Sequence, residues 1–245
     1  MELPSPLFLS ILVALLVILA TAAYLWSGTT KNKKDTVILV GPAASGKTTL
    51  FSKLCLGKWA ATTGSMVVNE GEWPRKAENQ DSVSEASLRI VDLPGHERLR
   101  GVFSQHVERL RAIVYMVDAS TLNRQLRTSA SYLYDILVDG TVEAQEIPIL
   151  IVAAKRDILT SLRPERVQLL LEGEINKLRI TRTTAPESLD PDAEAEERTT
   201  FLGYEDQPFR FAHLSNPVNV CGMDNVTEKG IVALEEQLEE WLNEV

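Results

Sequence analysis

An α/β fold with a mostly parallel central sheet flanked by helices, preceded by one transmembrane helix, is the architecture predicted by three observations. From Asp35 onward, short apolar runs alternate with helical stretches. One of those runs leads straight into a glycine-framed loop that opens a helix, and Leu7 to Trp26 contains no charged residue. Alternation of β-rich and helical segments is the mark of parallel strands joined by crossover helices, with both sheet faces covered. The expected domains are a membrane anchor and basic linker over residues 1–34, with its helix at 7–26, and one domain of ordinary size over residues 35–245.

The first element, Leu7 to Trp26, is almost entirely Leu, Ile, Val, Ala and Phe. At about 1.5 Å of rise per residue it spans roughly 30 Å, the thickness of a hydrocarbon core. Tyr24 and Trp26 fall where an interfacial aromatic belt lies. Lys31, Lys33 and Lys34 follow the run, whereas only Glu2 and the terminal amine precede it, so the domain is expected in the cytosol and a lipid bilayer is an expected partner. A cleaved signal peptide would open on positive charge and have a shorter apolar stretch. A core helix with no polar face would need protein on every side.

Thr36 to Val40, Leu88 to Val91, Ala112 to Val117 and Ile147 to Ala153 are predicted strands buried on both faces. Helices are predicted over Lys47 to Leu56, Leu122 to Val138 and Pro164 to Leu178, the last with Val167, Leu170, Leu171, Ile175 and Leu178 on one face. A final helix turns Leu234, Leu238, Trp241 and Leu242 inward and its glutamates mostly outward. Residues 185–200, rich in Pro, Asp and Glu, are predicted to be a flexible acidic insertion. The net charge of -9 and pI near 5.0 argue against a nucleic-acid phosphate backbone as partner, since such binding needs a basic face that releases counterions. Cys55 and Cys221 match neither a metal-ligand spacing nor a disulfide framework.

The chemistry concentrates after the first strand. Gly41-Pro42-Ala43-Ala44-Ser45-Gly46-Lys47-Thr48-Thr49 fits the pattern G-x-x-x-x-G-K-[ST] between a strand and a helix. The two glycines permit backbone conformations that turn successive N–H groups toward phosphate oxygens. Pro42 has no N–H, so the remaining amides form the cradle. Lys47 supplies charge to the β- and γ-phosphates, Thr48 offers a hydroxyl to Mg²⁺, and Thr49 reaches the α-phosphate side at the positive end of the helix.

Further elements resemble the motif series of small GTPases. Asp92-Leu93-Pro94-Gly95 ends an apolar strand like the family's D-x-x-G element, which implies that Asp92 holds a Mg²⁺ water and that the Gly95 amide senses the γ-phosphate. Thr62-Thr63-Gly64-Ser65 is similar to the T-x-G switch of Arf and Sar proteins, making Thr62 the second metal hydroxyl, with Thr63 its rival. Ala154-Lys155-Arg156-Asp157 stands in place of Asn-Lys-x-Asp. Asp157 still accepts both guanine N–H donors and Lys155 still lays its stem over the base, while the asparagine that braces neighbouring loops is absent. Ser215 is the expected match to a Ser-Ala-Lys loop following a strand at Phe209 to Ala212, and His96 follows Gly95 where many relatives carry the water-orienting glutamine.

Together these residues resemble the family of signal recognition particle receptor beta subunits, within the Arf/Sar-like superfamily. The resemblance extends to Leu178-Arg179-Ile180-Thr181-Arg182, the acidic insertion and the Trp-containing last helix. An Arf or Sar protein would use a lipid group or an amphipathic helix in place of a spanning segment. The resemblance implies a P-loop GTPase fold, GTP and Mg²⁺ as ligands, the endoplasmic reticulum membrane, and GTP-dependent binding of the receptor's alpha subunit. It also implies a role beside the ribosome and translocon, with slow or partner-assisted hydrolysis. Three alternatives stay open: an Arf/Sar-like trafficking GTPase, a P-loop ATPase or kinase, and a nucleotide-independent membrane tether.

Overall fold

A computed structural model of the chain describes residues 21, 34–58, 67–74, 87–95, 101, 103–184, 201–223 and 228–244. The chain divides into two units, Met1–Lys33 and Lys34–Val245. Apart from Thr21, which is helical and exposed, the predicted span at 7–26 lies outside the described residues, as does the insertion at 185–200. Among the described residues no helix is long and apolar enough to cross a membrane.

In the second unit the order is β1 (Thr36–Val40), α1 (Lys47–Leu56), β2 (Asn69–Trp73), β3 (Leu88–Asp92), β4 (Leu110–Asp118), α2 (Leu122–Leu137), α3 (Gly140–Ala144), β5 (Ile149–Ala154), α4 (Pro164–Thr184), β6 (Val218–Gly222) and α5 (Glu228–Glu244). Among the described residues six strands form one sheet in the order β2-β3-β1-β4-β5-β6. β2 is antiparallel to β3 and every other pairing is parallel. The mostly parallel sheet expected from the apolar runs is therefore present. Alternation within each strand divides the core. Val37, Leu39, Ala112, Val114 and Met116 pack with Leu50 and Leu54 of α1 and with Leu234, Leu238 and Trp241 of α5. Ile38, Val40, Ile113, Tyr115 and Val117 pack with Leu133 and Ile136 of α2 and with Val167, Leu171 and Ile175 of α4. Strands sandwiched this way have no polar face, which is why they appear as continuous hydrophobic runs.

Local chemistry sets the ends of the helices. α1 stops at Gly57, whose φ of 64° lets its N–H return to the Lys53 carbonyl at 3.0 Å, a left-handed cap that a β-carbon would disfavour. α3 starts at Asp139, whose carboxylate accepts from the Thr141 and Val142 N–H groups.

Two departures from expectation have physical causes. β2, with the sequence Asn-Glu-Gly-Glu-Trp, has no apolar run because it is an edge strand; Glu70 pairs with Arg89 of β3, and Gly71 admits α1, since a β-carbon there would lie 2.9 Å from Cys55 Cβ. The strand expected at Phe209 to Ala212 is not a strand. Phe209 and Phe211 are both buried, but their N–H groups go to Asn176 Oδ1 and Glu172 Oε1 of α4, each at 3.0 Å, and Phe211–His213 makes one 3-10 turn. The last strand is Val218–Gly222 instead.

Candidate functional site

The parallel strands all end at one edge of the sheet. Leu39 of β1 pairs with Asp92 of β3, Asp118 of β4 with Ala154 of β5, and Ala153 of β5 with Gly222 of β6. The loop after β1 leaves from the middle of this edge, where the connections diverge toward β3 on one side and β4 on the other. Such a switch point opens a crevice in α/β sheets.

Within that loop Gly41 has φ 138°, and a β-carbon on it would lie 2.1 Å from the Met116 carbonyl oxygen, so no other residue fits. Gly46, at φ 98°, turns the chain into α1. Gly41, Pro42 and Ser45 are buried, whereas Ala43 and Ala44 are exposed and Thr49 is half-buried. Lys47 folds back beneath the loop: its ammonium donates to the carbonyls of Gly41 at 2.9 Å and Pro42 at 2.7 Å and to Ser45 Oγ at 3.4 Å. Burial lowers its pKa to about 8, with the charge of Asp92 opposing the shift.

Asp92 faces this loop with no solvent exposure. Its Oδ2 accepts from Thr48 Oγ1 at 2.7 Å and from Asn69 Nδ2 at 3.0 Å, while its buried Oδ1 accepts no hydrogen bond from a described residue. Burial pushes its pKa up, partly countered by the Thr48 and Asn69 bonds and by the Lys47 charge. Gly95, three residues on, packs directly on the loop, because a β-carbon there would lie 2.4 Å from the Ala43 nitrogen and 2.6 Å from the Pro42 carbonyl carbon. The structure thus brings together Gly41 to Thr49, Asp92 and Gly95.

On the other side of the edge, Ala154 is fully buried and Lys155 follows at φ 62°. Its ammonium meets Asp118 Oδ2 at 2.6 Å. Burial tends to raise the Asp118 pKa, yet the bonds from Lys155 and Ser120 bring it below the usual carboxylate value. Asp157 is exposed, in the turn that follows. The Arg156 N–H donates to the Met223 carbonyl at 3.3 Å and its side chain lies over Gly222, where a β-carbon would be 2.5 Å from Arg156 Cδ.

Ser215 requires a correction. It precedes β6 rather than following it, and its neighbour Asn216 donates to the carbonyls of Val142 and Ile147, both of which come before the start of β5. That is the opposite end of a parallel strand pair, so Ser215 is excluded from the loop cluster. The segment after β6 that does reach the cluster is Gly222-Met223. Thr62, Thr63, Gly64, Ser65 and His96 lie outside the described residues. Three contributors escaped the sequence reading. Asn69 sits on the illegible edge strand, and Gly222-Met223 ends a strand assigned elsewhere. Asp118, an acid closing a long apolar run, carries the same signal that picked out Asp92.

The residues fit a metal-bound nucleotide triphosphate. Glycine positions hold the backbone too close for side chains, a buried ammonium lies beneath the loop, and a buried carboxylate oxygen is left over for a water-borne donor. Among the described residues no group of three or more His, Cys, Asp or Glu could hold a metal by itself. A hard cation here would depend on hydroxyl, water and phosphate oxygens.

A family model described as signal recognition particle receptor beta subunit matches residues 32–218. The chain belongs to the signal recognition particle receptor beta subunit family. The rat signal recognition particle receptor subunit beta is 32% identical over 246 residues, covering 98% of this chain and 88% of the rat protein. The solved mammalian SRP receptor superposes with a TM-score of 0.68 at 29% identity, covering 84% of this chain and 98% of that one. A complex from Chaetomium thermophilum, described as SRb-GTP/SRX, gives a TM-score of 0.64 at 22% identity over 84% of this chain and 99% of that one. The fold of this receptor beta subunit family member is that of the small GTPases.

Proposed function

We propose that this chain is a membrane-anchored GTP-binding subunit of the signal recognition particle receptor. In this reading it binds the alpha subunit when loaded with GTP and Mg²⁺, at the cytosolic face of the endoplasmic reticulum. The observation that carries the reading is the Lys47, Thr48 and Asp92 group beneath a glycine-framed loop, with Asp92 Oδ1 buried and unbonded among the described residues. Lys47 would hold the β- and γ-phosphates, Thr48 and Thr62 the metal, and Asp92 a metal-bound water. Mg²⁺, when bound, neutralises charge across the phosphates. On the base side, Lys155 would cover one face of guanine and Asp157 would accept its N–H donors.

Gly95 is the part that would sense the nucleotide. Its backbone lies so close to Pro42 and Ala43 that a β-carbon would not fit between them, so a rearrangement of the phosphate loop on nucleotide binding would be felt directly by residues 92–95. Occupancy of the site would in that way set the position of the loop that carries His96, and a partner bound there would favour one state by differential affinity. His96 would orient water for slow or partner-assisted hydrolysis. Membership in the receptor beta subunit family supports the alpha subunit as that partner, with the ribosome and translocon nearby, and the charge-free run at 7–26 supports the anchor.

The full chain, held in lipid nanodiscs and loaded with GTP, GDP or nothing, should capture purified alpha subunit far better in the GTP form. Equal capture in all three states would make the domain a static tether.

A further inference from the structure

The base-side loop lacks the side chain expected to brace it. Ala154 is fully buried in the apolar cluster shared with α1 and α5, and its methyl group can make no hydrogen bond. Lys155 nevertheless holds a left-handed backbone at φ 62°, a conformation that residues with a β-carbon keep only when their surroundings impose it.

The surroundings that impose it come from the end of β4. Asp118 Oδ2 takes the Lys155 ammonium at 2.6 Å. The other oxygen of the same carboxylate, Oδ1, is fixed by the Ser120 N–H at 2.9 Å and the Ser120 hydroxyl at 2.6 Å. The Ala119 N–H donates to the Ala154 carbonyl at 2.9 Å, so the segment next to Asp118 also holds the backbone of the missing brace. The Lys155 carbonyl is occupied by the Ser161 hydroxyl. Both partners of the ion pair are largely shielded, with side-chain exposures of 23% for Lys155 and 11% for Asp118, so solvent screens it only in part.

We propose that Asp118 is a positioning residue for guanine recognition, holding the Lys155 ammonium so that the lysine stem lies over the base and replacing the brace that position 154 does not supply. This rests on the reading of the site as a guanine-nucleotide site. In this role Asp118 acts on the nucleotide through Lys155, whose ammonium it holds, and not by a contact of its own. A polar side chain restored at position 154 would supply a second brace and relieve the dependence.

The test is a titration of the full-length protein in nanodiscs with a fluorescent GTP analogue, with unlabelled GTP and ATP as competitors. The proteins are wild type, Asp118→Asn, Lys155→Met, the double variant, and Ala154→Asn alone and with Asp118→Asn. Asp118→Asn keeps the acceptor for Ser120 but turns an amide toward the ammonium. It should lower GTP affinity about tenfold and narrow the preference for GTP over ATP. Lys155→Met should do the same, the double variant should be no worse than either, and Ala154→Asn should recover part of the Asp118→Asn loss. A purely structural role would move the unfolding midpoint without narrowing the GTP preference, and that result overturns the proposal. So does unchanged affinity in Asp118→Asn, or losses that multiply in the double variant. Failure of the folded wild type to bind GTP would instead defeat the underlying assignment of the site.

Discussion

Replacing Lys47 with methionine separates the stability cost of this lysine from its ligand role. Burial takes the ammonium pKa from 10.5 to about 8. Between those two values the unfolded chain carries a proton that the folded chain has released, so unfolding takes up a proton and stability rises with pH. The gap of about 2.5 pH units, at roughly 1.36 kcal/mol per unit, means that holding the charged lysine costs about 3 kcal/mol below pH 8. That cost is relieved as pH climbs toward 10.5. Methionine has similar length and no charge, so Lys47→Met should be more stable than wild type at pH 7 by about 1–3 kcal/mol, the lower figure reflecting the carbonyls of Gly41 and Pro42 that lose their donor. The advantage should vanish near pH 10.5. Urea denaturation of nucleotide-free protein at pH 7, 8, 9 and 10 measures it, and subtraction of the two curves cancels the titrations of groups not coupled to Lys47. A difference that stays constant across this range would refute the argument that the ammonium is strained by burial. Saturating GTP and Mg²⁺ should invert the order, since phosphate gives the buried charge its counterpart and only wild type gains from it.

Asp157→Asn replaces a pure acceptor with an amide that also donates, so nucleotide competition should show preference moving from GTP toward XTP. Gly95→Ala places a methyl group 2.4 Å from the Ala43 nitrogen and should cost about 1–3 kcal/mol in denaturant unfolding while weakening discrimination between GTP and GDP. Arg179 is 2% exposed and donates to the carbonyls of Leu202, Tyr204 and Gln207, with its guanidinium 4.7 Å from the Phe201 ring centre. Arg179→Ala should therefore lower unfolding stability by about 3–5 kcal/mol while leaving GTP affinity within twofold, measured by titration at a temperature where the variant is folded.

Much of the architecture was legible because burial on both faces leaves a simple signature. β1 and α1 were placed with their observed bounds, and β3, β4 and β5 within two residues at either end, since each carries an unbroken apolar run bounded by polar residues. β2 escaped because an edge strand is half-exposed and gains its order from pairing and from an ion pair with its neighbour. β6 escaped for a different reason. Phe209 and Phe211 offered a stronger hydrophobic signal than Val218–Gly222, but side chains of α4 had already claimed their backbone donors, and no periodicity reports that. The error carried forward to Ser215, since a loop expected after a misplaced strand lands at the wrong end of the sheet. The phosphate loop was readable because its glycines and lysine are required at fixed spacing. Asn69 was not, because its role depends on register with a strand far away in sequence, and Asp118, though it closes an apolar run as Asp92 does, gains its partner only from the register of β4 with β5.

The helix α4 holds the returning chain at three steps: Glu172 takes the Phe211 N–H, Asn176 the Phe209 N–H, and Arg179 the carbonyls farther out. The chain that leaves α4 at Thr184 is therefore refastened to that same helix by contacts that owe nothing to residues 185–200. Both flanks of that stretch are thus held to one helix, and for an unstructured connection between fixed ends each doubling of length costs only about 0.6 kcal/mol. An epitope spliced between residues 185 and 200 is expected to leave the Glu172, Asn176 and Arg179 contacts in place, so the returning chain keeps its seat on α4.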